Sequence, residues 1–454
     1  MMQSELETRL IDYASDLTWE ELRPETIRQA KRRVLDTIGG AIGAYAAPAS
    51  RIARRMSQPV AGGPSARVWG SLVATTPEMA AFANGVMLRY LDINDTYRTR
   101  DGSHPSDNLG GIIAAAEMLG LGGRDMLLGL VISYEIQSRF VDAVGFNEAG
   151  WDQPVPGAMA CALAVGRMMG LNRAQMRDAL ALSVIPNLCT YQTRAGELSM
   201  WKGAAAANGA RQGMFAARLA AEGMTGPYEA FDGVFGLWKQ TVGKPHDLPP
   251  LARGDATFAV QQTNIKMYPV RDSCQLPVNA AKALREKISA SDIAALKIIT
   301  YKSAHKGAVA DPELWAPKTR ETADHSMLVA IAVGLIDGDI TPATFDNARF
   351  LDADVLDLIG RTTVEISDAF TAEAPGIRHC RIEAIAKDGQ EYVAHLKLTT
   401  ADIERGPDDL DIERKYFALT RGFLPPDAQR RLFDALGNLD SAIDIRHLVD
   451  LTAI

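Results

Sequence analysis

Cysteine is scarce in this chain, which has 454 residues and four cysteines. They lie far apart and form no C-x-x-C pair: Cys161, Cys189, Cys274 and Cys380. This spacing argues against a cysteine-based zinc site, a redox pair, a disulfide framework and an iron–sulfur cluster. We therefore expect buried, apolar cysteine side chains in a protein of a reducing cytosol.

An excess of positive charge is also missing, since 48 Lys and Arg residues stand against 56 Asp and Glu residues, for a formal net charge of −8. Without a basic tail, the chain is a poor candidate for binding nucleic acid or an anionic membrane. The longest apolar stretches, residues 109–122 and 327–336, are interrupted by charge or fall short of the ~20 residues of a membrane span. The polar, charged first 16 residues are unlike a signal peptide. We predict a cytoplasmic protein without a nucleic-acid or membrane partner.

Residues 18–240 follow a helical pattern nearly throughout. In residues 27–42, for example, apolar side chains recur every three or four positions, as they do on one face of a helix. Similar patterns cover residues 76–91, 105–119, 123–142, 157–169, 173–184 and 204–222. Alanine and glycine are frequent here, and small side chains let helices approach closely. A tightly packed helical core is therefore expected.

The pattern changes after residue 262, where short runs typical of strands appear at residues 293–301 and 363–367. Residues 380–386 and 391–398 flank Asp388-Gly389, a dipeptide that favours a tight hairpin turn. Helical patterns lie between these strands and return from residue 409 onward. We predict a mainly α protein, with a large all-helical domain of residues 1–262 and 400–454 and a smaller inserted α+β lid domain of residues 263–399.

Residues 90–108 carry the most informative group of reactive side chains. They lie between two predicted apolar helices and include His104, several carboxylates and hydroxyls. Pro105, at the first position of the second helix, leaves the backbone N–H groups of Ser106 and the next two residues unpaired, and such an end attracts an anion. This combination suits general acid–base chemistry. A capped, hydrogen-bonded loop is the alternative, because Asp and Asn are common at helix ends.

Other kinds of site were tested on the same stretch. A calcium loop starting at Asp92 fails, because Tyr97 stands where a glycine is needed and Ser103 where the closing glutamate belongs. Asp92 and Asp95 suggest an aspartate-rich magnesium site, but no second acidic motif supports it. The chain also has no H-E-x-x-H, Walker, G-x-G-x-x-G or G-x-S-x-G motif.

The same stretch carries a family resemblance. Residues 91–97, Leu-Asp-Ile-Asn-Asp-Thr-Tyr, followed by residues 104–108, His-Pro-Ser-Asp-Asn, resemble the signature of the MmgE/PrpD family, which includes 2-methylcitrate dehydratase and cis-aconitate decarboxylase. Further matching stretches follow in the family's order, at residues 134–137, 196–203, 266–269, 319–327 and 387–389. Together they span most of the chain.

The resemblance implies a two-domain subunit, usually a homodimer, whose active site lies between the helical domain and the lid and uses neither a metal nor an organic cofactor. In the family's decarboxylase branch, the active site includes the positions that match Asp92, Thr96, His104 and Lys266. Lys202 belongs to a Met-Trp-Lys-Gly stretch typical of the dehydratase-like branch.

Two positions depart from the family pattern. Gln153 stands where a histidine is expected, and a glutamine cannot shuttle protons. Arg271 follows Lys266 where the decarboxylase branch has a second histidine, and an arginine is a permanent cation. These departures argue against simple cis-aconitate decarboxylation.

We therefore predict a lyase: a dehydratase that removes water from a small di- or tricarboxylic acid such as 2-methylcitrate, in propionate metabolism. The candidate catalytic residues are His104, Asp92, Lys266 and Tyr268. The candidate substrate-binding residues are Thr96, Arg194, Lys202, Arg271 and Ser106. Decarboxylation or epimerisation of a related polycarboxylate is the alternative within the family. A magnesium-dependent helical enzyme and a non-catalytic carboxylate-binding protein are the alternatives outside it.

Overall fold

The structure is a computed structural model that describes residues 4–454. It is 57% helix and 10% strand, which confirms the prediction of a mainly helical protein. The α-helices are, in chain order, α1 (Glu5–Asp16), α2 (Pro24–Gly43), α3 (Pro48–Met56), α4 (Pro77–Tyr90), α5 (Leu109–Leu119), α6 (Gly123–Ala143), α7 (Pro154–Met168), α8 (Arg173–Val184), α9 (Trp201–Ala221), α10 (Leu237–Gln240), α11 (Asp272–Arg285), α12 (Lys302–Ala308), α13 (Arg320–Ala323), α14 (Met327–Ile336), α15 (Pro342–Asp346), α16 (Ala353–Gly360), α17 (Asp368–Glu373), α18 (Thr400–Arg405), α19 (Asp409–Thr420), α20 (Pro426–Gly437) and α21 (Ile445–Asp450). The strands are β1 (Ala66–Arg67), β2 (Ala74–Thr75), β3 (Tyr97–Arg98), β4 (Gly102–Ser103), β5 (Ile293–Thr300), β6 (Thr362–Ile366), β7 (Ile377–Ala386) and β8 (Glu391–Thr399).

Local sequence signals explain where the helices that frame residues 91–108 begin. Thr76 caps α4 by accepting a hydrogen bond from the Met79 N–H, and Pro77 occupies the first helical position. The predicted helix of residues 105–119 differs in its first turn, because Pro105–Asn108 form a 3₁₀ helix before α5 starts. Tighter turns of this kind are frequent at helix N-termini.

The chain divides into two compact units. Unit 1 comprises residues 4–191, Gly203–Ile265 and Pro407–Ile454. Within it α6 packs against α7, α4 against α5, and α2 against α19 of the C-terminal segment. Its core is built around large buried side chains such as Trp69, Tyr134 and Phe140.

The prediction that the first domain is all-helical needs one correction. Two ladders of two-residue strands lie in unit 1, β1 with β2 and β3 with β4. Two residues are too few to show an alternating pattern in a sequence, so such ladders leave no periodic signal. The second ladder sits directly before His104 and shapes the loop that carries it.

Unit 2 comprises Gln192–Lys202 and Lys266–Gly406. It contains a four-stranded sheet in the order β6-β5-β7-β8, in which β5 and β6 are parallel and the other pairs antiparallel. The predicted hairpin is confirmed: β7 and β8 are joined by a turn in which Gly389 has a φ of +89°. Helices α11 and α14 pack together, and α11 also packs on β7 and β8. The predicted domain boundaries at residues 262 and 399 stay a prediction.

No helix described between residues 4 and 454 combines the length and apolar content that crossing a bilayer requires.

Candidate active site

The loop after α4 has a tightly held backbone. Asp92 adopts a φ of +51°, a left-handed conformation that is uncommon for a residue other than glycine. Further along, Thr96 forms an antiparallel bridge with Asn264, and β3 pairs with β4 so that Tyr97 lies opposite Ser103. These pairings bring the chain back on itself immediately before His104.

His104 is held in one tautomer by its two neighbours. Its Nδ1 lies 2.6 Å from the backbone oxygen of Asp95 and 3.1 Å from Thr96 Oγ1. Because a carbonyl oxygen can only accept, Nδ1 carries the proton and donates a hydrogen bond to Asp95. Its Nε2 lies 2.9 Å from an Arg89 nitrogen, and a guanidinium can only donate. Nε2 therefore accepts, and the imidazole is neutral with its basic nitrogen facing Arg89.

Arg89 joins the histidine to the aspartate. It is 1% exposed, and its Nη1 lies 2.5 Å from Asp92 Oδ1 and 3.4 Å from Asn94 Oδ1. Its Nη2 reaches His104, so the two predicted catalytic residues are connected through this guanidinium. Arg89 was not among the residues predicted from the sequence. The available signal was a single charged residue at the end of an apolar helix, three positions before Asp92.

Gln153, one of the two departures from the family pattern, binds the loop through its side-chain amide. Its Oε1 accepts from the backbone N–H of His104 at 2.6 Å and from Ser103 Oγ at 3.1 Å. Its Nε2 donates to Asp107 Oδ2 at 3.2 Å. Because both ends of the amide are engaged, Gln153 orients the histidine through its main chain. The sequence indicated only that this residue cannot carry protons.

The predicted anion site at the start of the second helix is occupied by the protein itself. The backbone N–H of Ser106 points to Asp95 Oδ1 at 3.4 Å, and Ser106 Oγ accepts from Asn94 Nδ2 at 2.9 Å. Burial raises the pKa of the nearby Tyr134 hydroxyl well above its usual value, and the charge of Asp95 adds to the rise. Asp95 therefore serves as the local anion of this helix end, which leaves the substrate-binding role of Ser106 a prediction.

Unit 2 contains a second buried charge cluster, formed by Lys202, Asp324 and His325. Asp324 Oδ1 accepts from Lys202 Nζ at 2.5 Å and lies 2.7 Å from His325 Nδ1. All three side chains are at most 4% exposed. Lys202 is thus a buried, paired lysine. Asp324 was not singled out from the sequence, although it immediately precedes a histidine within a family motif.

The other predicted residues of unit 2 have separate surroundings. Lys266 is fully buried, and Tyr268 donates to Asn279 Oδ1 at 2.8 Å. Arg194 donates to the backbone oxygen of Lys202 at 3.0 Å. Arg271 is the N-cap of α11, and its backbone N–H donates to the backbone oxygen of Asp324 at 2.9 Å. Of the predicted residues, Asp92, Thr96, His104 and Ser106 are brought together in unit 1. In unit 2, Lys202 pairs with the Asp324 side chain, whereas Arg194 and Arg271 are shown bound only to backbone oxygens.

The Oδ1 atom of Asp92 is already engaged. It accepts from the Arg89 guanidinium, whose fixed positive charge would repel a cation bound at that oxygen. The aspartate-rich magnesium site suggested by Asp92 and Asp95 thus gains no support from this part of the geometry.

Comparison with known proteins assigns the chain to a family. Sequence models of the MmgE/PrpD N-terminal and C-terminal domains match residues 8–248 and 268–441. The chain belongs to the MmgE/PrpD family. It is 29% identical to 2-methylcitrate dehydratase of Cupriavidus necator, over 80% of this chain and 78% of that protein. It is 28% identical to 2-methylcitrate dehydratase of Salmonella typhimurium, over 75% and 73%, and 25% identical to cis-aconitate decarboxylase of Homo sapiens, over 95% and 91%.

Proposed function

We propose that this protein is a cofactor-free hydro-lyase that dehydrates a small di- or tricarboxylic acid such as 2-methylcitrate. The observation that carries the proposal is the neutral His104, whose basic Nε2 faces the buried Arg89 guanidinium. A base beside a fixed cation suits proton abstraction next to a carboxylate, because the cation stabilises the charge that develops there. The dehydratases among the relatives support the same reaction.

In the proposed reaction, Arg89 first turns from His104 Nε2 to a carboxylate of the substrate, which uncovers the nitrogen. Nε2 then takes the proton from the carbon beside that carboxylate, and the electron pair of the broken C–H bond forms a C=C bond as the C–O bond to the hydroxyl breaks. The hydroxyl leaves as water with a proton from a second group. Asp92 orients Arg89, while the Asp95 carbonyl fixes the tautomer of His104 and Thr96 adds a contact to Nδ1.

For the residues of unit 2, the proposal keeps the roles derived from the sequence. Lys266 and Tyr268 are proposed as catalytic residues, Lys266 as a cation at a substrate carboxylate and Tyr268 as a proton donor or acceptor. Lys202, Arg194 and Arg271 are proposed as further cations for substrate carboxylates. A homodimer in the cytoplasm likewise stays a prediction. Decarboxylation is the second candidate, since the human relative named cis-aconitate decarboxylase aligns over 95% of this chain.

The test is proton NMR of the purified protein with a panel of di- and tricarboxylates in deuterium oxide. We expect exchange at a carbon next to a carboxylate and the signals of an unsaturated product, because proton abstraction precedes or accompanies loss of water. Product signals distinguish dehydration, decarboxylation and epimerisation. EDTA should leave the rate unchanged; loss of activity with EDTA would favour the magnesium-dependent alternative.

His104→Asn is the decisive variant, and His447→Asn, at a side chain 84% exposed, is its control. We expect His104→Asn to lose turnover and the control to keep it. Near-normal turnover by His104→Asn would refute the assignment of the base. Thermal stabilisation by a carboxylate without exchange or product would instead identify a non-catalytic binding protein.

A further inference from the structure

Lys415, on α19, reaches the loop of the candidate active site from the C-terminal segment. The lysine is 7% exposed, and its Nζ donates to the backbone oxygen of Ile93 at 2.9 Å. The same ammonium lies 2.5 Å from Oδ1 of Asp36, a buried residue of α2. The lysine therefore ties one backbone carbonyl of the loop to α2, and that carbonyl belongs to Ile93, the residue after Asp92.

The conformation of Asp92 needs such a tie. A non-glycine residue at positive φ costs about 1–3 kcal/mol and persists only where its surroundings impose it. The left-handed φ of Asp92 sets the direction in which the chain leaves it, and Lys415 binds the oxygen of the second peptide along, between Ile93 and Asn94. Loss of that bond removes the charged donor that holds the peptide in place.

A second buried charge of α2 holds the other end of the loop. Arg33 is 1% exposed and donates to Thr263 Oγ1 at 2.9 Å and to the Thr263 backbone oxygen at 2.8 Å. The next residue, Asn264, forms the backbone bridge with Thr96. The loop from Ile93 to Thr96 is thus held at both ends. Lys415, paired with Asp36 of α2, binds the Ile93 end, and Arg33 of α2 holds the segment that bridges Thr96.

Stability alone does not account for the Lys415–Asp36 pair. Desolvating two charges cancels most of their attraction, so apolar side chains of similar volume often stabilise a core as well or better. Burial indeed lowers the pKa of Lys415 and raises the pKa of Asp36, against the attraction between the two groups. Asp36 Oδ2 is buried and has no hydrogen-bond partner among the described residues, so the hydrogen bond that this carboxylate accepts comes from Lys415, at Oδ1.

We propose that Lys415 is a positioning residue for the lyase reaction: by holding the Ile93 carbonyl it sets the backbone of Asp92 and, through Asp95 and Thr96, the orientation of His104. This inference rests on the proposed function. Asp36 holds the lysine in place and touches none of the proposed reacting groups through a described hydrogen bond.

The test compares Lys415→Met with Asp36→Asn and with the double variant. We expect Lys415→Met to lower kcat on the order of 100-fold, the cost of a displacement of about 1 Å of a reacting group, with a smaller change in KM. Asp36→Asn keeps the bond from Lys415 to Ile93 and should lose much less. The double variant leaves no unpaired buried charge, so it should recover thermal stability without recovering kcat.

Lys31→Met is the matched control, because Lys31 on α2 also pairs with the C-terminal segment, with 2.7 Å between its Nζ and Asp440 Oδ1. This variant removes an ion pair of α2 that is more exposed than Lys415–Asp36 and has no described contact to the loop, and it should keep kcat. Normal kcat in the double variant, with a change in thermal stability only, would show that the lysine is merely structural and would overturn the proposal.

A readout without turnover separates this inference from the proposed function. The imidazole resonance of His104, assigned by its loss in His104→Asn, should shift in Lys415→Met and stay in place in Lys31→Met. Should the wild type turn over no carboxylate while this shift is present, the proposed function fails and the positioning stands. An unshifted resonance would overturn the positioning whatever the activity.

Discussion

Replacing Arg89 by methionine removes the group that connects His104 to Asp92 while keeping a long, unbranched side chain. In the variant, Asp92 loses a charged donor at 2.5 Å and His104 Nε2 loses one at 2.9 Å. Asp92 and Arg89 are each 1% exposed, whereas His104 is half-buried. The variant therefore tests both the proposed catalytic role and the structural role of this arginine.

The magnitudes follow from these contacts. A hydrogen bond to a charged group contributes about 1.5–3 kcal/mol, and breaking a buried ion pair by removing one partner costs about 3–5 kcal/mol. A lower melting temperature is therefore expected. Because Arg89 is also proposed to stabilise the charge that develops on the substrate carboxylate, kcat/KM should fall about 10²–10³-fold, as on loss of one preorganised donor.

The pH–activity profile gives the sharpest readout. Without the guanidinium, protonation of Nε2 is less opposed, so the acid limb of the profile should move to higher pH. Arg67→Met is the control, because Arg67 pairs with the buried Glu117 of unit 1 and has no described contact to His104 or Asp92. It should lower the melting temperature without moving the profile. An Arg89→Met protein with the wild-type profile and kcat/KM would refute the reasoning.

Two further predictions concern buried polar groups around the loop. Gln153→Glu replaces the amide that donates to Asp107 at 3.2 Å by a second carboxylate. Because the two carboxylates repel each other when both are charged, we expect a melting temperature that is close to the wild type at acidic pH and falls below it as pH rises. A difference in melting temperature that stays constant with pH would contradict this. Burial raises the pKa of Asp101 from 3.8 to about 6, so the folded state binds the proton more tightly than the unfolded chain does. As pH rises from about 4 to about 6, the wild type should therefore lose stability relative to Asp101→Asn, and above pH 6 the difference should stay constant. Thermal unfolding of both proteins in a pH series measures this, and two parallel curves of melting temperature against pH would rule out this cause.

Much of the secondary structure could be predicted because it depends on local signals. The apolar periodicity of α4, its capping residues and the Asp388-Gly389 turn all act within a few positions of the chain. The short ladders β1–β2 and β3–β4 could not be predicted, because two-residue strands are imposed by tertiary contacts and carry no pattern of their own.

The chemistry of the candidate site was only partly visible for a related reason. His104 and Asp92 stand out by type within a dense polar loop, whereas Arg89 looks like an ordinary helix residue until its partners are known. Lys202 and Asp324 lie 122 positions apart, so only the fold shows that they pair. Gln153 is similar: its type excludes proton transfer but does not indicate that it binds the His104 backbone.

The assembly of unit 1 from both ends of the chain has a consequence for biosynthesis. Lys415 follows Asp36 by 379 positions, so a ribosome must add all of these residues before this contact can form. The segments of unit 2, by contrast, are complete once residue 406 has been made. During translation, the side chains of unit 1 that α19 covers in the folded protein therefore stay exposed until the C-terminal helices have been made. The loop of the candidate active site is thus among the last parts of unit 1 to acquire its final support.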